Sequence, residues 1–392
     1  MVKLLNMNDD DDPTEKPSSS AQIVASIDDL IIEIIHRLPL KPLVQLRLVS
    51  NNWNSLISNA NLRLWHNRPA VGLICQGRKM KHLYATNAKP PPSYIVSLDK
   101  SISPLIRKLT PTKGTWYRHY TILHSCNGLL LCLIKEHNSS ERHYVCNPTT
   151  RKYIALPELE LDHSMIIREM YLAFDPSKSP HYKVVCVVKS FKDRLKLFKV
   201  YSSETRSWRK GGELFKANYP DLDSDNGVYW NGAIHWLNLY NGPRESVYLN
   251  LDYDETPKVF RKPPLQPKFY FRKEDYYFGE SCDHLHFVDS YRELNQFIVY
   301  EMKKDYSEWF VKYKVNDVPD FKTISSFSVV RCKNDEDSFM VFAIGEELIR
   351  RIEKYNFDQK TCETLFYSTD DFGVYLLAIR PKFQYIESVC SV

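Results

Sequence analysis

The chain is poor in glycine and lacks long apolar runs. Only 12 of its 392 residues are glycine, roughly half the share that is usual in globular proteins. Two glycine-rich motifs that cradle phosphate groups, G-x-x-x-x-G-K-[ST] and G-x-G-x-x-G, do not occur, and neither does the G-x-S-x-G of esterases. No window approaches the ~18 consecutive apolar residues that a membrane-spanning helix needs. The sequence therefore has no motif for nucleotide binding, esterase chemistry or membrane insertion.

Paired cysteines and a strong charge of one sign are also missing. The nine cysteines include no C-x-x-C pair, so neither a zinc ribbon nor a thioredoxin-like site is indicated. The formal net charge is only +5, which does not predict a nucleic-acid binder. The N-terminus shows no charged start followed by the apolar run of a signal peptide. We therefore expect a cytoplasmic or nuclear protein whose thiols are reduced.

Turn signals recur at a fixed interval in most of the chain. Aromatic residues make up 13% of the sequence, which favours strands over helices. Turn-like pairs begin at residues 127, 179, 231, 283 and 335, a constant step of 52 residues, and Gln76-Gly77 stands 51 residues before the first. A second series of polar turns, each between two strands, advances by a similar step.

This interval predicts a repeating β architecture. Four short strands in a repeat of ~40–50 residues are typical of a β-propeller blade. We predict about six blades between residues 70 and 368, with the strand-like GVYLLAIRP near the C-terminus closing the ring. An irregular β-sandwich with evenly spaced hairpins is the alternative.

The N-terminal part differs from this pattern. Residues 1–22 contain NDDDDP and PSSS and almost nothing to bury, so we expect a disordered tail. Residues 26–57 read SIDDLIIEIIHRLPLKPLVQLRLVSNNWNSLI. Within them Leu30, Ile34 and Leu38 recur every four residues, as on one face of a helix. About 40 residues are too few for an independent core, so this region either packs on the propeller or keeps one face for a partner.

Local signals set the ends of the predicted helices. Ser26 and Asp29 resemble a capping box at the start of the first helix. Pro39 ends that helix, and Pro42 suits the first turn of the next. Apolar residues at helical spacing then continue to about Ser58.

Few side chains suggest chemistry. His284 and His286 would face the same side of a strand and form a possible metal pair, but no third or fourth ligand stands at a recognisable spacing. The acidic stretches 221–225 and 334–337 are interpreted as solvated turns, because the first lacks the glycine and glutamate of a calcium loop. We therefore expect no catalytic residue, no metal and no cofactor.

Residues 26–57 resemble the F-box, a three-helix module that docks on Skp1 and so joins a cullin-RING ubiquitin ligase. In one departure, Ser26-Ile27 stands where F-boxes commonly have Leu-Pro. Binding to Skp1 is still expected, either with lower affinity or with Ile27 making the contact that the usual Leu-Pro would make. The matching elements are Asp29-Leu30, Ile34, Leu38-Pro39, Val49 and Trp53.

The remaining chain is similar to the F-box-associated domain of plant F-box proteins, often labelled F-box/kelch-like, of which the pollen S-locus F-box proteins are a branch. The similarity rests on several motifs in order. They include NGLLLCL, YVCNPTTRKYIALP, LAFDPSKSPHYKVVCV, GVYWNGAIHWLN and VYEMKKDYSEWFVKYKV.

The resemblance implies a mainly β protein in three parts: a tail (1–22), a small three-helix F-box (23–68) and a β-propeller-like, kelch-like domain (69–392). It implies a non-catalytic substrate-recognition subunit of an SCF E3 ubiquitin ligase. A non-ligase scaffold and, less favoured, a propeller enzyme are the alternatives.

The same resemblance implies the partners. They are a Skp1-like adaptor, cullin and RING subunits through it, and a target protein whose contact residues the sequence does not reveal, with no nucleic acid and no membrane. The residues expected to contact the Skp1-like partner are Ile27, Leu30, Ile34, Leu38, Pro39, Leu43, Val49 and Trp53.

Overall fold

The structure is a computed structural model, and the chain divides into two compact units, Met1–Ala60 and Asn61–Val392. No helix in the described part is long and apolar enough to cross a membrane. The residues that the structure describes are 27–37, 45–46, 49–64, 70–77, 93–99, 106–109, 119–135, 141–191, 196–213, 227–239, 246–252, 256–264, 275–316, 318, 321–332, 335–345, 351–367, 379–388, 390 and 392.

Helix α1 spans Asp28–Arg37. The Ile27 carbonyl accepts the first helical hydrogen bond, from the N–H of Ile31 at 3.1 Å, so Ile27 holds the N-cap position. Ser26, the first residue of the expected capping box, lies outside the described part of the chain. The two aspartates of the first turn still favour this end of the helix through its dipole.

Helix α2 spans Asn51–Leu64. Its N-cap is Ser50, whose Oγ accepts the N–H of Trp53 at 3.1 Å. The chain therefore starts a new helix after Val49, where the apolar spacing predicted one continuous helix. The helix also runs past Ser58, its expected end.

The middle of the predicted three-helix module is only partly described. Residues 45–46 are helical. Residues 38–44 and 47–48, with Pro39 and Pro42 among them, lie outside the described part, so two α-helices are established there and the third stays a prediction.

In the described part of the larger unit, 24 strands form six four-stranded antiparallel sheets, or blades. Blade 1 contains β1 (Gly72–Gly77), β2 (Ser93–Ser97), β3 (Ile106–Lys108) and β24 (Ile379–Tyr385); blade 2 contains β4 (His119–Cys126), β5 (Leu129–Lys135), β6 (Glu141–Asn147) and β7 (Lys152–Ala155); blade 3 contains β8 (Met165–Ala173), β9 (Lys183–Ser190), β10 (Lys196–Ser202) and β11 (Ser207–Glu213). Blade 4 contains β12 (Val228–Trp230), β13 (Ala233–Trp236), β14 (Ser246–Asn250) and β15 (Pro257–Phe260); blade 5 contains β16 (Tyr276–Ser281), β17 (His284–Tyr291), β18 (Gln296–Met302) and β19 (Trp309–Asn316); blade 6 contains β20 (Ile324–Val330), β21 (Phe339–Ile344), β22 (Arg351–Asn356) and β23 (Cys362–Tyr367).

The six blades form a closed ring. In blades 2 to 6 the strands follow chain order, whereas β24 from the C-terminus completes blade 1 by pairing with β1. The innermost strands β4, β8, β12, β16, β20 and β24 contact one another in turn, and β24 contacts β4. The prediction of six blades is confirmed, and the sandwich alternative is wrong. The closing strand is Ile379–Tyr385, which shares only its first three residues with the predicted segment GVYLLAIRP.

The predicted turns have a definite place in each blade. Asn127-Gly128 and Asn231-Gly232 join first to second strands, with φ of 44° and 86° and of 49° and 75°, as in hairpin turns. In blade 5 the turn is Cys282-Asp283, one residue before the predicted pair. Gln76-Gly77 ends the second strand of its blade and is therefore out of phase. The second series joins third to fourth strands in all six blades.

The core lies between the blades. Each of six clusters of buried apolar side chains draws on two neighbouring blades. On β9, Val184 and Cys186 face the blade 2 side, whereas Val185 and Val187 face the blade 4 side. Because both faces of such a strand are buried, its sequence is a continuous run of apolar residues and does not alternate between apolar and polar ones.

Candidate docking site

The apolar residues of helix α1 divide between the interior and the surface. Ile31 is fully buried, whereas Leu30 and Ile34 are 44% and 38% exposed. These side chains lie one turn apart on the same helix. Neighbouring exposed apolar side chains are typical of interaction sites on proteins.

Other predicted contact residues are also exposed. Ile27 is 40% exposed and Val49 is 65% exposed, while Trp53 is half-buried. In contrast, Ile57, one turn beyond Trp53 on α2, is fully buried. We call Ile27, Leu30, Ile34, Val49 and Trp53 the helical face.

The remaining predicted contact residues, Leu38, Pro39 and Leu43, lie outside the described part of the chain. They stay predictions, as does the contact role of each residue in the helical face.

One polar contact joins the two helices, and sequence reasoning missed it. Asn52 Nδ2, in the first turn of α2, donates a hydrogen bond to Asp28 Oδ1, in the first turn of α1, at 3.1 Å. The bond joins the first turns of the two helices, which also contain Leu30 and Trp53. No spacing rule pairs residues 24 positions apart, so the sequence carried no signal for it.

In the propeller, His284 and His286 share one carboxylate. His284 Nδ1 lies 2.8 Å from Glu301 Oε1, and His286 Nε2 lies 3.4 Å from Oε2. Burial lowers the pKa of His286 to about 4. Burial alone would raise the pKa of Glu301, but the hydrogen bond from His284 and the proximity of His286 hold that pKa well below its usual range. Across the described residues, no group of three or more His, Cys, Asp and Glu side chains is arranged to hold a metal ion.

Two side chains link the innermost strands. His124, on β4, accepts the N–H of Leu172 at Nδ1 (3.2 Å) and donates from Nε2 to the Gly227 carbonyl (2.9 Å), so the ring is neutral with its proton on Nε2. Gln384, on β24, donates to the Val329 carbonyl at 2.6 Å. Both residues bond backbone groups at the inner edges of other blades, which is a structural role.

The strand order gives the propeller two different ends. The turns from first to second and from third to fourth strands lie at one end, which we call the turn face. The opposite end carries the turns from second to third strands and the links between blades. Long stretches of sequence separate β1 from β2, β11 from β12 and β15 from β16, and most of their residues lie outside the described part. Long connections on a rigid scaffold are the usual place for binding residues.

Comparisons with known families match both units. The F-box domain matches residues 28–65, and the F-box associated beta propeller domain matches residues 93–369, more than half of the chain. The F-box protein At5g07610 of Arabidopsis thaliana is 29% identical over 96% of this chain and 94% of its own length. The F-box/kelch-repeat protein At3g23880 of the same plant is 24% identical over 60% of this chain and 64% of its own length.

The solved structures found by comparison share less sequence with this chain than these relatives do. A chain of the nidogen/laminin complex is 7% identical, with a TM-score of 0.40, over 79% of this chain and 95% of its own. An oligogalacturonate lyase in complex with manganese is 9% identical, also with a TM-score of 0.40, over 72% of both chains. Scores this low support no statement about activity.

Proposed function

The chain belongs to the family of F-box proteins with an F-box associated β-propeller domain, and we propose that it is the substrate-recognition subunit of an SCF E3 ubiquitin ligase. In this proposal residues 23–68 dock on a Skp1-like adaptor, and through it on cullin and RING subunits, in the cytoplasm or nucleus. Residues 69–392 bind a target protein. The subunit catalyses no reaction itself.

The observation that carries the docking proposal is the exposed helical face. Leu30, Ile34 and Val49 each leave more than a third of their surface in water, and removing apolar surface from water is favourable by about 25 cal/mol per Å². A stable protein–protein interface buries ~1,200–2,000 Å² of accessible surface in total, and a few large side chains dominate its binding energy. Trp53, which is half-buried, is our candidate for such a side chain.

The propeller supports the second half of the proposal. Its blades are joined by buried cores on both faces, so the ring is a rigid support for the connections at its ends. Binding the target and the ligase core on one chain raises the local concentration of target lysines near the ubiquitin donor. The mechanism is proximity and orientation, which need no catalytic group on this chain.

The first experiment is direct binding of a purified Skp1-like protein to wild type and to Trp53→Ala. We expect tight binding by wild type and at least a tenfold loss for the variant, with unchanged circular dichroism. Leu294→Ala is the matched control, because Leu294 is 67% exposed and lies on the propeller. Its affinity for the partner should equal that of wild type.

The outcomes separate the alternatives. No binding by well-folded wild type would contradict the docking proposal and would make the replacement of Leu-Pro by Ser26-Ile27 decisive. Binding without recovery of cullin would favour a non-ligase scaffold. Metal bound stoichiometrically to the purified protein would favour an enzyme.

A further inference from the structure

The C-terminal tail beyond β24 is held on blade 2. Asn147, the last residue of β6, donates from Nδ2 to the carbonyl oxygens of Ser388 and Cys390, both at 2.9 Å. The hydroxyl of Thr149 accepts the N–H of Ser388 at 3.2 Å. All three bonds reach the main chain of the tail, so they do not depend on which side chains the tail carries.

Side chains of the tail fill apolar space next to these bonds. Cys390 is buried in the cluster between blades 2 and 3, and Val392 packs against the same cluster. The tail also passes close to the Asn127-Gly128 turn: a Cβ at Gly128 would lie 2.3 Å from the Cβ of Ser388. Glycine is therefore required there both for φ of +86° and for the approach of the tail.

Equivalent asparagines in other blades show which contacts belong to the turn alone. Asn147, Asn250 and Asn356 each end the third strand of a blade, and each Oδ1 accepts an N–H of the following turn, at 2.9 Å from Thr149, Asp252 and Asp358. The Nδ2 of Asn356 donates to the Glu336 carbonyl in its own blade. Asn147 alone among these three is seen bonded to the tail, so its Nδ2 contacts are not explained by the turn.

We propose that blade 2 and its border with blade 3 form a peptide-binding site on the turn face, which the chain's own C-terminal tail occupies. Its ligand is a short peptide, recognised by Asn147 and Thr149 through main-chain groups. Small apolar or thiol side chains two residues apart, as Cys390 and Val392 are, enter the apolar cluster. A peptide of this chemistry from another protein would have to displace the tail, whose tethering gives it an effective concentration of the order of millimolar.

The test uses the chain truncated after Tyr385, which keeps β24, and a fluorescent peptide with the sequence of residues 386–392, IESVCSV. We expect saturable binding of the peptide. Asn147→Asp in the truncated chain should weaken peptide binding at least tenfold. Aspartate keeps an oxygen that accepts the N–H of the turn, but it has no N–H to donate to the carbonyl groups of the tail. Asn356→Asp is the matched control and should bind the peptide as the truncated chain does.

A second measurement keeps the proposal testable if the truncated chain does not fold. In the full chain, Thr149→Val removes the hydroxyl that accepts the Ser388 amide. We expect hydrogen exchange in residues 386–392 to quicken several-fold while exchange in the strands of blades 3 to 6 is unchanged; β24 is not used as a control, because Thr149 Oγ1 also lies 3.0 Å from the Tyr385 hydroxyl. Failure of the peptide to bind a folded truncated chain would overturn the proposal. So would unchanged tail exchange in Thr149→Val.

Discussion

The helical unit and the propeller place the same kinds of apolar side chain in opposite surroundings. Leu130, on β5, is fully buried between two blades, whereas Leu30, on α1, is 44% exposed. Every blade has a neighbour on both sides, so the strand faces that lie between blades are covered by the chain itself. Helix α1 buries Ile31 but leaves Leu30 and Ile34 open to solvent. Apolar content alone therefore does not distinguish core from interface, and the difference lies in whether the chain itself supplies the partner.

The largest expected effect is the loss of stability when a side chain in the propeller core is removed. Phe297, on β18, is 1% exposed, and its ring centroid lies 4.6 Å from that of Phe321 and 4.7 Å from that of Phe327. Phe297→Ala should lower the free energy of unfolding by about 3–5 kcal/mol, because it removes buried area and leaves a cavity. Chemical denaturation measures the change, with exposed Val311→Ala, in the same blade, as the control. Equal losses in both variants would contradict the assignment of the core to the blade interfaces.

The pH dependence of the propeller is the next largest effect. His235 is fully buried and stacks against the rings of Tyr248 and Tyr306. Burial lowers its pKa from 6.5 to about 3, so the unfolded chain binds the proton more readily. Its contribution to stability is complete above pH 6.5 and is lost as the pH falls toward 3. From pH 7.5 to pH 5 wild type should lose about 2 kcal/mol more than His235→Gln.

This prediction is measured by urea unfolding at both pH values. His235→Gln will be less stable than wild type at pH 7.5, because glutamine fills the aromatic site poorly, and only the change with pH is compared. Parallel losses in the two proteins would show that this histidine is not held neutral by burial.

On the exposed side, two adjacent residues of α1 should behave differently. Leu30→Ala should weaken docking to a Skp1-like partner at least tenfold and leave hydrogen exchange in α1 unchanged, because Leu30 is largely in water in the free protein. Ile31→Ala should instead quicken exchange throughout Asp28–Arg37, because Ile31 is buried. Titration calorimetry and hydrogen exchange measure the two effects. Loss of α1 protection in Leu30→Ala would place that residue in the core.

The repeat of the propeller could be predicted because each blade reuses the same local chemistry. Residues with positive φ, such as Asn127 and Asn231, mark the same hairpin in different blades. The turn-like pair Gln76-Gly77 does not mark the same hairpin as the other pairs, because β24 supplies the first strand of blade 1 from the other end of the chain. Local spacing carries no information about that pairing.

The candidate docking site could be predicted only in outline. The spacing placed Leu30 and Ile34 on one face of a helix, but the exposure of that face and the burial of Ile31 beside it depend on what else packs against the helix. The contact between Asn52 and Asp28 and the bonds from Asn147 to the tail join residues distant in sequence. Such contacts follow from tertiary structure and leave no local pattern.

The smallest effect concerns the start of helix α2, which holds one part of the helical face. Ser50 caps this helix by accepting the N–H of Trp53, and replacing an N-cap serine with alanine costs about 1 kcal/mol. Ser50→Ala should therefore weaken docking by up to about fivefold. Ser50→Asp should restore it, because a carboxylate also caps and is favoured by the helix dipole. Thermal unfolding of the propeller should be the same in both variants. Equal docking by Ser50→Ala and Ser50→Asp would mean that the partner does not require the first turn of α2, and Trp53 would then lose its place as the leading candidate for the dominant contact.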